Sequence, residues 1–551
     1  MKRYFCILFL IIYNLAFCQN FYLNFTPEDS SEQKQINNLI YNKLHKSPKT
    51  LDSYTKQLSD SLHKQGFLQN RINFIQKTND STFVYELWLG KKINSLKIYT
   101  SDSSMVRQLN IIESDTITIE FQNIQPFLNE IVKKLEHQGY ATSKIQLTKF
   151  RQQNDTLLAT LSEEIDFKRV INDLVVVGYG KFPKGILKNL KKKYRHQTFN
   201  NQTTTQLTKQ IQKYNFVNIS KAPEVLFTNQ ATRIFLYLEK KQANTFDGYI
   251  GFGNNNDSKI SFNGYVDLHL KNILNAGEDF KIYWKNDGSN QETINIEGEL
   301  PYLFQTPFAL KPKLNIFKQD STFQTTKSSI DLGYYLNYNT RIYLGYHNHE
   351  SNSITQNINA MEDFTSKFLS LSTTYFFTDN NYSIFPLKTK INFKTGFGNR
   401  TTEQFTTQQY YIELNGHHNV YLNSKNSINT RLEAYYLHSN QYLTNEMYRT
   451  GGIHSIRGFR ENSLQANIFY SLQLEYRYLL NPTLYVHSIS DIGYLIDYVN
   501  QQKHQLYGIG FGFGIFTKNG LFHISYANGR QKNVPIKLSN SIVHLSFKTT
   551  F

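Results

Sequence analysis

The sequence predicts a transmembrane antiparallel β-barrel of sixteen strands, preceded by three small α+β repeats. Three observations carry this expectation. From about Asp247 to Phe551 the segments alternate, mostly apolar against small or polar, without a helical period. Aromatic residues make up 15% of the chain, with 38 Tyr and 41 Phe against 2 Trp, which suits strands that turn every second side chain to lipid. In the first half a glycine that closes a helix-patterned run recurs after 73 residues, Gly66 then Gly139.

At 551 residues the chain holds several domains. A mean hydropathy of −0.49 and 40% hydrophobic residues exclude a bundle of membrane-spanning helices. Residues 1–18 read as an export signal: Lys2 and Arg3 open it and Phe5 to Ala16 form a short apolar core. Cleavage after Ala16-Phe17-Cys18 leaves Gln19 first; an acylated Cys18 is the weaker reading, because bulky Phe17 precedes it. Cys6 and Cys18 are the only cysteines, so the mature chain has none and no disulfide framework. For an exported chain the net charge of +17 points away from nucleic acid and toward anionic lipid or an acidic partner, with plain solubility as the alternative.

The repeats occupy 19–92, 93–166 and 167–243. Helix-patterned runs end at Lys64-Gln65-Gly66-Phe67 and His137-Gln138-Gly139-Tyr140, and a weaker copy is Lys213-Tyr214-Asn215-Phe216. Gly and Asn tolerate the left-handed conformation that closes a helix, so one cap explains all three. Alternating strands follow, and each unit reads as strand, two helices, strand, strand. In the third unit, Lys181, Lys184, Lys188, Lys191, Lys192, Lys193 and Arg195 form a basic run without an acid, with Pro183 at a helix start. It is either a solvated face or a surface for anionic lipid heads or a partner beside the membrane.

The barrel is expected over 244–551. Turn signals such as Asn254-Asn255-Asn256-Asp257, Asn275-Ala276-Gly277, Asn286-Asp287-Gly288, Asp379-Asn380-Asn381 and Lys518-Asn519-Gly520 leave about 19 residues per strand with its connection. Lipid forbids an open sheet edge, so the sheet must close on itself. In Tyr507 to Ile515 the glycines have a strict period of two, which is strand geometry and not a nucleotide loop.

Between candidate strands eleven and twelve lies Gly451-Gly452-Ile453-His454-Ser455-Ile456-Arg457-Gly458-Phe459. A lone loop arginine is ordinarily solvated. This string, however, resembles the (V/I)-R-G-(F/Y) loop of the outer-membrane protein assembly superfamily, the BamA and TamA type. Leu270 to Glu278 resembles the family's N-L-F-G-x-G-E turn, and Glu299 to Phe308 its E-P-Y-L-F-G-T-P hairpin. Ile489-Ser490-Asp491-Ile492-Gly493 is similar to its (F/G)-x-D-x-G strand, departing at Ile489. Val543, Leu545, Phe547 and Phe551 lead to a C-terminal aromatic like the family's sorting signal. The repeats look like its polypeptide-transport-associated (POTRA) domains.

The resemblance implies that the loop folds into the lumen, where Arg457 pairs with Asp491, Gly458 permits the turn and Phe459 packs the tip. It implies a seam between the first strand, around Tyr249, Gly251 and Gly253, and the last, through Phe547 and Phe551, that opens sideways to template a client strand. It further implies location in the outer membrane with periplasmic POTRA domains. The expected partners are unfolded outer-membrane clients, outer-membrane lipid and a TamB-like periplasmic protein. No enzymatic activity and no cofactor are expected: G-x-S-x-G and H-E-x-x-H are missing, and His347 with His349, and His417 with His418, lack a third metal ligand at a recognisable spacing. Competing readings are a two-partner-secretion transporter and a passive porin or receptor.

Overall fold

The computed structural model describes residues 20–254, 260–286, 291–319, 322–354, 361–379, 382, 384–532, 534–535, 537–538 and 541–551. Residues 1–18, read above as an export signal, and parts of the turns at 254–257, 286–288 and 379–381, lie outside these residues. The chain forms two compact units. One holds the first two modules together with His196–Gln206 and Phe227–Thr232; the other holds Asp173–Arg195, Leu207–Leu226 and the barrel.

Modules one and two are four-stranded sheets, Phe21–Trp88 and Ser95–Glu164, each with a long helix, α1 (Pro48–Lys64) and α2 (Ile124–His137). The apolar faces of these helices, Leu58 and Leu62 in α1 and Ile131 and Leu135 in α2, are buried in the module cores. Both sheets carry one strand more than the expected three. Leu44–His45 and Thr116–Glu120 each pair with the outer side of the module's first strand. The third module has three strands, Ile171–Val177, Val217–Phe227 and Thr232–Lys240, and two helices, α3 (Lys184–Tyr194) and α4 (Asn201–Ile211).

Gly66 and Gly139 both have φ of +103°, and each ends its helix with a pair of reverse bonds. Phe67 N donates to Leu62 O at 3.0 Å and Tyr140 N to Leu135 O at 2.9 Å. Their carbonyls then accept the amide that opens the next segment, Ile93 N on Gly66 and Arg169 N on Gly139. The third copy differs, because Asn215 is not left-handed. Tyr214 instead turns inward, 1% exposed and edge-on to Tyr338 at 4.4 Å, and Phe216 O accepts Lys241 N. An inward aromatic ends this helix without a left-handed cap. After module two, Thr142, Arg169 and the Phe167 amide bond to Asp166 and hold its carboxyl down at about 2.

The barrel is closed and has sixteen strands. They are β1 (Thr245–Asn254), β2 (Ile260–Lys271), β3 (Asp279–Asn286), β4 (Gln291–Glu299), β5 (Phe308–Gln319), β6 (Phe323–Asn337), β7 (Thr340–Ser353) and β8 (Phe364–Thr378). The rest are β9 (Leu387–Thr401), β10 (Thr406–Tyr421), β11 (Asn426–Ser439), β12 (Ile468–Asn481), β13 (Leu484–Asp497), β14 (Gln502–Thr517), β15 (Gly520–Gln531) and β16 (Ser541–Thr550). Alternation sorts their two faces. Ile330, Leu369 and Phe511 look outward at 60%, 61% and 63% exposure, while Asp331, Ser370 and Gly512 face the lumen. An outward belt of this kind suits hydrocarbon.

Closure is uneven. β1 pairs with β2 over ten residues but with β16 only at Thr245–Thr550 and Phe246–Thr549. Asn244 and Phe551 exchange backbone bonds just beyond. Tyr249, Gly251 and Gly253 therefore correct the expected seam: they pair with β2 and not with β16. At Asp247 the side chain accepts Phe547 N at 3.3 Å, in the place of a ladder carbonyl, and the ladder ends there.

Gly66→Ala is expected to cost about 1–3 kcal/mol, because a Cβ there would also stand 2.1 Å from Ile93 O. Hydrogen exchange in Pro48–Lys64 should speed up accordingly. Asn215→Ala, at a position without positive φ, should stay within about 0.5 kcal/mol.

Candidate functional site

The segment joining β11 to β12 does not stay outside the barrel. Its first half crosses to the far wall. Asn445 Nδ2 donates to Ser351 Oγ on β7 at 2.9 Å, and Glu446 binds Arg400 on β9 at 2.6 Å and Gln409 on β10 at 2.9 Å. The Arg449 guanidinium lies over Phe317 and Phe323, from β5 and β6. A two-stranded ribbon, Tyr448–Thr450 with Leu464–Ala466, then carries the tip.

At the tip, Gly451 and Gly452 take φ of +107° and +94°. A Cβ on Gly451 would stand 2.6 Å from Arg460 O, so the two limbs of the loop close only around glycine. Ile456 is fully buried and Arg457 is 4% exposed. Arg457 meets Asp491 three times: backbone N to Oδ2 at 2.9 Å, Nε to Oδ2 at 2.8 Å, and Nη2 to Oδ1. Its remaining nitrogen, Nη1, bonds Glu475 on β12. Glu475 in turn accepts Arg477 through Nε at 2.8 Å and Nη2. A planar fork holds Asp491 with two parallel bonds and still serves Glu475, whereas an ammonium offers no such bidentate grip.

The strand motif around Asp491 has a direct physical reading. Positions 489, 491 and 493 share the lumen face of β13. Asp491 grips the arginine, and Gly493 leaves room for Ile456, whose Cδ1 would be 2.1 Å from a Cβ there. The period-two glycines of β14 serve the same purpose. A Cβ on Gly508 would lie 2.5 Å from Arg457 O, and one on Gly512 would meet the His487 ring. Gly458, at φ +88°, rests against Gly529 of β15, where a Cβ would stand 2.2 Å from its nitrogen. Phe459 packs beside the buried cluster of Ile456, Leu464, Phe469 and Leu506.

Besides Glu446, three carboxylates were not singled out from the sequence. Glu475 completes the arginine site, Glu433 on β11 accepts Ser455 Oγ and Tyr448 Oη, and Glu461 at the loop's far limb binds Lys285 and Tyr283 on β3. The signal for the first two was parity: both alternate with outward-facing residues such as Leu432 and Tyr476, and so must face the lumen. The loop therefore touches β3, β5–β7 and β9–β15.

The other quoted motifs stitch turns and walls. Leu274 N and Ala276 N donate to Glu278, and Gly277 N donates to Asn272 Oδ1 at 2.8 Å. Glu299 pairs with Arg341 at 2.5 Å and accepts Tyr343 Oη at 2.8 Å. His347 bonds Asp331 at 2.9 Å and Ser370 at 2.7 Å; His417 bonds Asn429 and His418 bonds Thr389. Of the seam residues, Phe547 and Phe551 lie on or just after β16, and both bond across the closure by their own backbones, Phe547 N to the Asp247 carboxylate and Phe551 to Asn244 of the first strand's approach.

Arg457→Ala is expected to leave Asp491 and Glu475 buried and unpaired, at a cost of roughly 3–5 kcal/mol. Protease cleavage within 451–463 should rise and the unfolding temperature should fall. Arg457→Lys should recover little of either.

No family model and no curated protein sequence matches the chain. Among solved structures, it is similar to BamA from Haemophilus ducreyi lacking POTRA domains 1–3, with 14% identity and a TM-score of 0.51 over 82% of this chain and 99% of that one. It is also similar to CdiB from Acinetobacter baumannii, with 15% identity and a TM-score of 0.50 over 91% and 97%. The chain thus shares the fold of these structures, small α+β modules ahead of a closed sixteen-strand barrel.

Proposed function

We propose that this protein is an outer-membrane insertase or translocase that assists the assembly of β-barrel or autotransporter-like clients, with its POTRA modules in the periplasm. The observation that carries the reading is the two-residue ladder between β1 and β16, where every other pair of neighbouring strands is laddered over seven or more of the described residues. Opening that seam breaks few bonds and exposes two strand edges, on which a client's terminal strand can pair. The pinned loop supports the reading from within the lumen. Contacts to β11–β13 and β15 hold that wall while the seam yields. No cofactor or nucleotide enters; the client's own folding supplies the free energy. A TamB-like periplasmic protein is the partner this layout would work with.

Secretion of a dedicated partner through the lumen is the competing reading in the same fold. It requires the loop to leave the lumen, breaking the Arg457 cluster, the Glu446–Arg400 pair and the Glu461–Lys285 pair together.

A disulfide between Phe246→Cys and Thr549→Cys, at paired seam positions, is expected to stop client insertion while the barrel keeps its folded mobility on unheated gels. Reduction should restore insertion. Full insertion with the bond formed would remove the sideways-opening mechanism.

A further inference from the structure

The basic run of the third module has a setting that the barrel mechanism does not use. Helix α3 lies directly on the barrel's rim turn between β4 and β5. A Cβ on Gly185 would stand 2.8 Å from Tyr302 Cβ, and Asn189 Nδ2 donates to Gln305 O at 3.3 Å. The neighbouring rim turn is held as closely: Asn272 Nδ2 donates to Tyr179 Oη at 2.7 Å, and a Cβ on Gly277 would meet Ile186. The helix is therefore fixed at the level where the barrel's apolar belt ends.

One side of α3 is buried through Ile186, Leu190 and Tyr194. Lys184, Lys188 and Lys192, at i, i+4 and i+8, form an exposed stripe, and Lys181 extends it. None of these four has an ionic partner among the described residues, whereas Lys191 is paired with Asp173 at 2.8 Å. Beside them the rim turn holds Tyr302, Phe304 and Gln305 in left-handed backbone at φ of +53°, +51° and +61°. This conformation projects Phe304 outward at 92% exposure, and Leu274 on the adjacent turn is 63% exposed. Lys181, Lys184, Leu187 and Phe304 line one open groove of about 860 Å³.

Ammonium groups beside bare apolar side chains, at a barrel rim, match the two ends of an anionic phospholipid. We propose that this groove and the exposed residues next to it bind an anionic phospholipid of the periplasmic leaflet, with its headgroup on Lys181, Lys184 and, from the same stripe, Lys188, and its acyl chains along Phe304 and toward Leu274. The lipid would hold α3, and the module that carries it, at a set height on the leaflet. This rests on the outer-membrane reading. An acidic protein would suit the lysines but not a fully exposed phenylalanine beside them.

Full-length protein is incorporated into vesicles with equal phosphatidylglycerol and phosphatidylcholine, extracted in mild detergent, and its retained lipid counted by native mass spectrometry. Phosphatidylglycerol should be retained preferentially. Lys181→Glu with Lys184→Glu and Lys188→Glu should lower that retention about tenfold or more, the corresponding Gln variants less so, and Phe304→Ser should lower retention of both lipids. Unheated gel mobility confirms a folded barrel in each variant. Equal retention of the two lipids by the wild type, or undiminished retention by the charge-reversed protein, overturns the proposal, as does capture of polyglutamate in place of lipid. Failure of the carboxy-terminal half to insert into vesicles at all would instead count against the outer-membrane reading.

Discussion

A single guanidinium organises the lumen. Arg457 is held by Asp491 through its side chain and its own amide, and by Glu475 through the nitrogen that remains. All three groups are buried, so each charge depends on the others for the solvation that water would otherwise supply. An arrangement of this kind contributes specificity more than raw stability, because the carboxylates accept one loop position and reject its neighbours. The loop's register then places Gly458 against Gly529 and Ile456 against Gly493, where no larger residue fits.

The consequence is a barrel whose wall is held unevenly. Around β11–β13 and β15 the wall is tied to the loop by buried charges and close glycine contacts. At β1 and β16 it is closed by two ladder pairs, and a side-chain carboxylate ends the ladder. In lipid an unpaired strand edge is costly, so under the proposed function a client strand would lower the free energy by pairing at this seam. The rim adds a third fixed point. Tyr214 and α3 pack against barrel turns through an edge-on aromatic pair and glycine contacts, which joins them to the wall that begins at β1.

Much of this was legible in the residues. Period-two alternation is a property of any strand that separates lipid from lumen, so strand number and closure followed from pattern and from the need to satisfy every backbone group. Gly66 and Gly139 announced their helix ends, because a left-handed cap has few alternatives to glycine. The pairing of Arg457 with Asp491 was implied by family resemblance alone, and the coordinates bring those two residues together.

The rest belonged to the tertiary structure. Glu475, Glu433 and Glu461 find their partners because the stagger of a closed sheet and the path of one loop bring distant segments to the same height. No local spacing encodes that height. The seam registers at Thr245 and Phe246, not at Tyr249, Gly251 or Gly253, for the same reason. Asn215 kept the residue type of a cap but lost the role when Tyr214 found a buried site against the barrel. Sequence determined which face each side chain would take, since that depends only on neighbours along the strand; which side chains meet across the lumen was decided by closure, which couples every strand to all the others.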